Sequence, residues 1–219
     1  MKTMGIRSIG IIPDGSRRWA AREGQPLYEA YLQTFRNLRR HVDLLQGRGI
    51  RHIHIYAFSR FNLKREPHEV LACLDAENLF LQELVSGGYR IRIRGDLEAI
   101  SPIHPRIVQT ALSIGTVPQE HDQRPLVHFY LGYSLRYYLE SIGRTSKDIR
   151  DFIESLLSDS IDLIVRTGGA ATLSEFLPIE ARYAQLFFLP TLFNDFLPEE
   201  LSDICDRYEA EAASFKYGE

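Results

Sequence analysis

Cysteine is close to absent. Cys73 and Cys205 are the only two in 219 residues, and neither sits in a Cys-x-x-Cys or Cys/His spacing. That argues against a zinc site or a disulfide framework and leaves two reduced thiols as the expectation. Long apolar runs are missing too. No stretch approaches the roughly 18–20 apolar residues of a membrane span, so no integral membrane segment is expected. The opening residues Met1–Arg7 lack the apolar core of a signal peptide, which points to a cytoplasmic protein. Nor is positive charge in excess: Lys+Arg number 26 against 29 Asp+Glu, a net charge of −3. A nucleic-acid partner usually leaves a basic surplus, so none is expected. No internal repeat, low-complexity tract or linker interrupts the chain, and residues 1–219 read as a single domain.

The composition is that of an ordinary globular protein, 44% apolar and 25% charged, enough to bury a core without staples. Short β-branched runs alternate with amphipathic stretches. The runs Ser8–Pro13, His52–Phe58, Tyr89–Arg94, Leu126–Leu131, Ile161–Val165 and Tyr183–Leu189 read as strands. Between the first two, Tyr28, Tyr31, Phe35, Leu38, Val42 and Leu45 recur at helical spacing, and Gly47 and Gly49 stop that helix. Pro67 opens the next one, which Gly87-Gly88 ends. Helices also fit Pro105–Ile114, Leu135–Ser141, Ser146–Leu157 and Pro198–Ala213, and Gly115–Pro125 reads as a surface loop. Strand–helix–strand alternation predicts an α/β domain with a mostly parallel central sheet flanked by helices. The seven histidines show no metal-ligand spacing; His52 and His54 read as surface or packing residues on one side of a strand.

In open α/β sheets, ligands bind at the carboxyl ends of the strands. Three loops there carry polar groups. After the first strand, Asp14-Gly15-Ser16-Arg17-Arg18-Trp19 has the makings of an anion cradle. Gly15 admits close approach, Ser16 can cap the following helix, that helix presents its positive end, and two arginines add charged donors. Asp14 would repel a diphosphate unless a divalent cation bridges them, which implies Mg2+. A capped turn with surface arginines is the plainer reading. After the second strand, Ser59-Arg60-Phe61-Asn62-Leu63-Lys64-Arg65 reads alone as a solvated basic loop. After the fifth, Arg166–Phe176 offers a cation, two glycines and hydroxyls. Three such loops at one sheet edge favour a shared diphosphate site.

These residues resemble the cis-prenyltransferase family, typified by the undecaprenyl and dehydrodolichyl diphosphate synthases. The first loop is similar to its Asp-Gly-Asn-(Gly/Arg)-Arg-Trp-Ala signature. Tyr56-Ala57-Phe58-Ser59 with Asn62 and Arg65 fits the second motif, and Arg90–Asp96 its Arg-(Ile/Phe)-Ile-Gly-Asp strand. Asp162–Gly169, Leu173-Ser174, Phe176 and Asn194-Asp195-Phe196 fit the C-terminal motifs. The resemblance implies that Asp14 is the catalytic and Mg2+-binding aspartate, with Asn62 and Arg65 near the reacting centre. It implies that Gly15, Ser16, Arg17 and Arg18 hold the allylic diphosphate, with Trp19 and Ser59 also in the substrate-binding set, Trp19 as a wall or core residue. Arg166 and Ser174 would hold a second diphosphate. Tyr31, where the family has His, either lines the reacting cation or is a core tyrosine. A homodimer is implied as well.

Departures from the pattern matter. Thr172 stands where the family's second phosphate-binding Arg is expected, and Gln185 where it has a metal-assisting Glu. The terminal segment reads Phe215-Lys216-Tyr217-Gly218. Leu27, Tyr31 and Pro190–Asp195 resemble the lavandulyl and cyclolavandulyl branch, which joins short allylic diphosphates head to middle. The expected activity is therefore Mg2+-assisted ionisation of a short prenyl diphosphate, dimethylallyl to farnesyl, followed by short-chain or irregular prenyl transfer. A terpene-synthase-like or hydrolytic enzyme that ionises without condensation is the alternative, and a non-catalytic partner subunit a second.

Overall fold

The computed structural model describes residues 5–114 and 124–212. All six expected strands form and join one parallel sheet. In chain order they are β1 Ser8–Ile12, β2 His52–Ser59, β3 Arg90–Arg94, β4 Leu126–Tyr133, β5 Leu163–Arg166 and β6 Gln185–Phe188. Across the sheet they lie β3-β4-β2-β1-β5-β6. The helices are α1 Ser16–Glu23, α2 Leu27–Gly47, α3 Pro67–Ser86, α4 Leu97–Ile100, α5 Pro105–Ser113, α6 Leu135–Thr145, α7 Ile149–Leu157 and α8 Pro198–Ala212. The chain leaves β1 toward β2 on one side, and β5 returns to β1's other flank. β1 is thus the topological switch point, and its carboxyl end is where a crevice opens.

Alternation along the strands sorts the two faces. Ile9 and Ile11, Ile53 and Ile55, Val127 and Phe129, and Leu163 and Val165 share one face by register. Each is at most 1% exposed, and together they meet the inner stripes of α2 and α3 in the main core. On α2 the expected positions Tyr31, Phe35, Leu38, Val42 and Leu45 are all buried, with Tyr28 at the exposed margin. Pro67 opens α3 as expected.

The opposite face is more polar. His54 and His128 stack with ring centroids 4.2 Å apart, His52 bonds His128 at 3.1 Å, and His54 bonds Tyr130 Oη at 3.0 Å. His54 is a buried packing residue rather than a surface one. Burial holds its imidazole down to about 3, and pushes His128 down further still. His41 stacks on Phe196 at 4.9 Å, and His104 caps α5 by accepting from the Ile107 amide. Among the described residues no cluster of His, Cys, Asp and Glu could hold a metal.

Two element ends differ from the expected ones for local chemical reasons. The Asp148 side chain accepts from the Asp151 amide, so α7 starts at Ile149, three residues later than the periodicity predicts. Tyr183 and Ala184 belong to a turn, and β6 starts at Gln185. The loop expected over residues 115–125 lies largely outside the described residues, and Phe215–Gly218 wholly so. No helix among the described residues is long and apolar enough to cross a membrane.

Candidate active site

Side chains from β1, β2 and β5 and the loops after them surround a cavity of about 660 Å³. Its centre is an ion pair. Arg166, at the end of β5, donates from Nη2 to Asp14 Oδ2 at 2.9 Å. The register that pairs Ile12 with Arg166 places these two groups side by side. Backbone contacts fix them further. Thr167 Oγ1 accepts from the Asp14 amide at 3.1 Å and donates to the Asp14 carbonyl at 2.9 Å. Gly168 has φ +83, and a Cβ there would lie 2.5 Å from Arg18 and 3.0 Å from the Asp14 carbonyl oxygen. Only glycine lets the two loops approach this closely.

Arg166 Nη1 is gripped from the other side. It donates to the Thr172 carbonyl at 2.6 Å, Thr172 Oγ1 at 3.1 Å and Ser174 Oγ at 2.7 Å. Its Nε is buried, with no hydrogen-bond partner among the described residues. The loop that makes this grip carries three non-glycine residues at positive φ: Ser174 (50°), Glu175 (67°) and Leu177 (46°). Such backbone is unfavourable and is found clustered at functional sites. Tyr56 Oη supports it by donating to the Ser174 carbonyl at 3.0 Å. Thr172 therefore occupies the guanidinium of Arg166, and brings no second cation to this side.

The first loop departs from its sequence reading in one respect. Gly15, not Ser16, is the N-cap of α1, with φ +123. The Ser16 hydroxyl is buried and bonds Thr34 Oγ1 of α2 at 2.7 Å. Ser16 therefore ties α1 to α2, and what it offers the cavity is its amide. Trp19 makes the first helical bond, to the Gly15 carbonyl at 2.9 Å. This leaves the amides of Ser16, Arg17 and Arg18 outside the intrahelical set, at the positive end of the helix. Arg18 reaches Asp14 Oδ1 at 3.4 Å and Arg17 reaches Glu69 of α3 at 3.4 Å. Both guanidinium groups are mostly exposed.

The second loop forms the far wall. Ser59 and Asn62 make a capping box around the 3-10 turn Arg60–Lys64. The Asn62 carbonyl oxygen is used by Ser59, so its amide NH2 is the group left for a ligand. Arg65 donates to Tyr31 Oη at 3.4 Å. Tyr31 is 5% exposed, and burial raises its phenol well above the ordinary range. Tyr31 packs in the core and also lines the cavity.

Of the twelve residues expected from sequence, eleven line the cavity: Asp14, Gly15, Ser16, Arg17, Arg18, Tyr31, Ser59, Asn62, Arg65, Arg166 and Ser174. Trp19 does not. Its indole turns outward and donates to Asp195 at 2.9 Å, alongside Arg22, so it locks α1 to the 192–196 segment. Gln185 is also displaced from its expected place. It opens β6 opposite Leu163, three residues before the level of Arg166 and so roughly 10 Å down the sheet. It cannot complete a metal site at Asp14 of the same chain. The cavity has residues that carried no clear signal: Phe61, Glu175 and Cys73. Phe61 is exposed at the rim with Lys64 over its ring, and Cys73 becomes visible only once α2 and α3 are packed. Four arginines against two carboxylates among the lining residues give the chamber a net positive lining, which favours anions.

The sequence matches the family model for undecaprenyl diphosphate synthase over residues 12–216. It is 34% identical over 212 residues to a tritrans,polycis-undecaprenyl-diphosphate synthase (geranylgeranyl-diphosphate specific) of Aeropyrum pernix, covering 89% of this chain and 91% of that one. It is 28% identical to an isoprenyl transferase of Helicobacter hepaticus, covering 95% of each. Among solved structures, lavandulyl diphosphate synthase from Lavandula x intermedia, in complex with dimethylallyl diphosphate, superposes with a TM-score of 0.74 at 21% identity, covering 93% of this chain and 95% of that one. At that identity the structural match speaks for the fold.

Proposed function

The chain belongs to the undecaprenyl diphosphate synthase, or cis-prenyltransferase, family, and from that premise we propose that it transfers a short prenyl group from an allylic diphosphate to an alkene acceptor bearing its own diphosphate. The carrying observation is the Asp14–Arg166 pair at 2.9 Å, in a cavity lined by Arg17, Arg18 and Arg65 and also by Tyr31, Ala57 and Cys73. The free amides of Ser16, Arg17 and Arg18 and the Arg17 and Arg18 guanidinium groups hold the allylic diphosphate. Arg65 and Asn62 face it from the opposite wall. As the carbon–oxygen bond breaks, the electron pair leaves with the diphosphate, and these fixed donors take up the growing charge. The allylic cation is left against the ring of Tyr31, whose face favours positive charge. Arg166 and Ser174 hold the acceptor diphosphate. The acceptor alkene attacks the cation, a carbon–carbon bond forms, and the proton that the acceptor loses passes to the released diphosphate.

Asp14 would hold Mg2+ with its one carboxylate, since among the described residues no cluster of His, Cys, Asp and Glu completes a cage. Bound there, Mg2+ would neutralise charge on the departing diphosphate. Transfer is preferred over ionisation alone because Arg166 and Ser174 keep a second anion site beside the first. A non-catalytic partner role is disfavoured by the intact Asp14. A cytoplasmic homodimer belongs to the same reading. On α7, Ile149 (72% exposed), Ile153 and Leu157 form a bare apolar stripe, and Tyr183 and Leu186 are exposed beside the open edge of β6.

The test is incubation with Mg2+ and dimethylallyl, geranyl or farnesyl diphosphate, with and without isopentenyl diphosphate, read by mass spectrometry. A longer diphosphate supports transfer. A free alcohol or hydrocarbon with released pyrophosphate, formed regardless of acceptor, overturns it.

A further inference from the structure

Tyr31 of α2, Ala57 of β2 and Cys73 of α3 line one bay of the cavity, beside Arg65, which donates to Tyr31 Oη at 3.4 Å. The layer behind that bay is not uniformly apolar. Cys73 is 4% exposed, and its thiol donates to Glu77 Oε1, one turn further along α3, at 3.4 Å. Glu77 is completely buried, and among the described residues its Oε2 has no hydrogen-bond partner. Its neighbours on the buried face of α3 are Leu74, Phe80, Leu81 and Leu84. Beyond it, Phe80 packs on Phe35 of α2 at 5.2 Å and on Phe129 of β4 at 6.0 Å, filling the space between α2, α3 and the sheet. A carboxyl in that setting lowers stability, and no partner in the core calls for it. A local rule broken one layer behind a ligand cavity is where function is to be sought.

We propose that Glu77 sets the upper limit on the length of prenyl chain this site accepts. The inference rests on the reading of the cavity as a prenyl diphosphate site. Against an apolar wall each buried methylene would gain about fourfold in affinity. Against the thiol–carboxyl pair it gains none, and it also displaces the bond that Cys73 makes to Glu77. Chain growth past Cys73 therefore stops being favourable at the level of Glu77, before the Phe35–Phe80–Phe129 rings are reached. Arg65 and Cys73 are the titratable groups that bear on Glu77. Burial holds its carboxyl at about 8, so near neutral pH it is a polar, mostly uncharged wall.

The experiment is calorimetric titration of the non-ionising thiolodiphosphate analogues of geranyl, farnesyl and geranylgeranyl diphosphate, with Mg2+ and no acceptor, into wild type, Glu77→Ala and Glu77→Gln. In wild type and in Glu77→Gln the longest chain binds no more tightly than the shortest. In Glu77→Ala the affinity for geranylgeranyl relative to geranyl diphosphate rises at least tenfold. With Mg2+ and isopentenyl diphosphate, the longest product of that variant gains at least one five-carbon unit. Circular dichroism melts verify folding, and Glu77→Val replaces the alanine variant if that one does not fold. A relative affinity that stays within twofold of wild type in the folded apolar variant overturns the inference, as does an equal gain in Glu77→Gln. If no prenyl diphosphate binds wild type, the reading of the site itself falls, an outcome distinct from unchanged selectivity.

Discussion

Arg166 grips the Asp14 carboxylate on one side and the Thr172–Ser174 loop on the other, so a single guanidinium joins two ends of the chain that lie 152 residues apart. It is 9% exposed against 35% for Asp14. The arginine is thus the buried anchor, and the carboxylate is the partner that reaches the chamber. Removing Asp14 should abolish ionisation with little loss of fold. We expect Asp14→Ala to lower kcat/KM by about 100- to 1000-fold while the melting temperature stays near that of wild type. Near-wild-type turnover in this variant would sink the mechanism.

Arg166→Lys keeps the charge and loses the fork. One ammonium cannot bond Asp14, Thr172 and Ser174 with the same geometry, so the acceptor side should suffer first. The expected outcome is a rise of about 10-fold or more in KM for the acceptor, with a smaller change for the allylic diphosphate. Steady-state kinetics varying each substrate in turn separates the two.

Gly168→Ala puts a methyl group against Arg18 and the Asp14 carbonyl, at a backbone angle that alanine rarely adopts. A loss of about 1–3 kcal/mol is expected, together with a fall in activity, because the two loops must part. A chemical denaturation curve beside an activity assay tests both at once. Gly24→Ala is the useful contrast: φ there is +63, but nothing lies within 4 Å of the added carbon, so it should cost stability alone.

Trp19→Phe removes the bond to Asp195 and leaves the cavity lining intact. Stability should fall by about 1 kcal/mol with KM values for both substrates unchanged. A KM raised several-fold would return Trp19 to the substrate-binding set.

Glu77 also makes a prediction about pH. Its folded pKa is raised to about 8 from an ordinary value of 4.5. The unfolded chain therefore releases this proton first, and the group's contribution to stability declines as pH rises from about 4.5 to 8, by up to about 1.4 kcal/mol per unit. The buried histidines act in the opposite sense. His41, His52, His54 and His128 have lowered values, so their protonation in the unfolded state reduces stability as pH falls below about 6.5. The two effects overlap between 4.5 and 6.5. Above 6.5 Glu77 is left, and wild type should lose stability between pH 6.5 and 8 while Glu77→Gln does not. Parallel slopes in urea melts across that window would refute this assignment.

Much of this was legible in the sequence because local signals agreed with one another. Strand runs, Pro67, and the glycines at 47, 49, 87 and 88 located the elements, and the loops after β1, β2 and β5 carry nearly the whole cavity lining. What failed had long-range causes. Ser16 has the chemistry of a cap, yet Thr34 of α2 claims its hydroxyl. Trp19 sits inside a binding motif, yet an aspartate 176 residues away turns it outward. Gln185 occupies a motif position but lies at the wrong end of a parallel strand. Glu77 looks like an ordinary polar residue on an amphipathic helix until packing shows it enclosed. Spacing along one chain cannot report which distant side chain will be waiting.

The reciprocal bonds between Asp14 and Thr167 set a schedule for biosynthesis. At about 5–20 residues per second, Asp14 leaves the ribosome roughly 8–30 s before Arg166 and Thr167 exist to meet it. Once β2 has emerged it can lie beside β1, but Arg166, Ser174 and Glu175 of the lining are still missing. Competence for substrate therefore arrives late and all at once, when β5 docks onto β1. A fragment that ends before residue 166, whether through stalled translation or cleavage, would present the arginine loop without its counterpart.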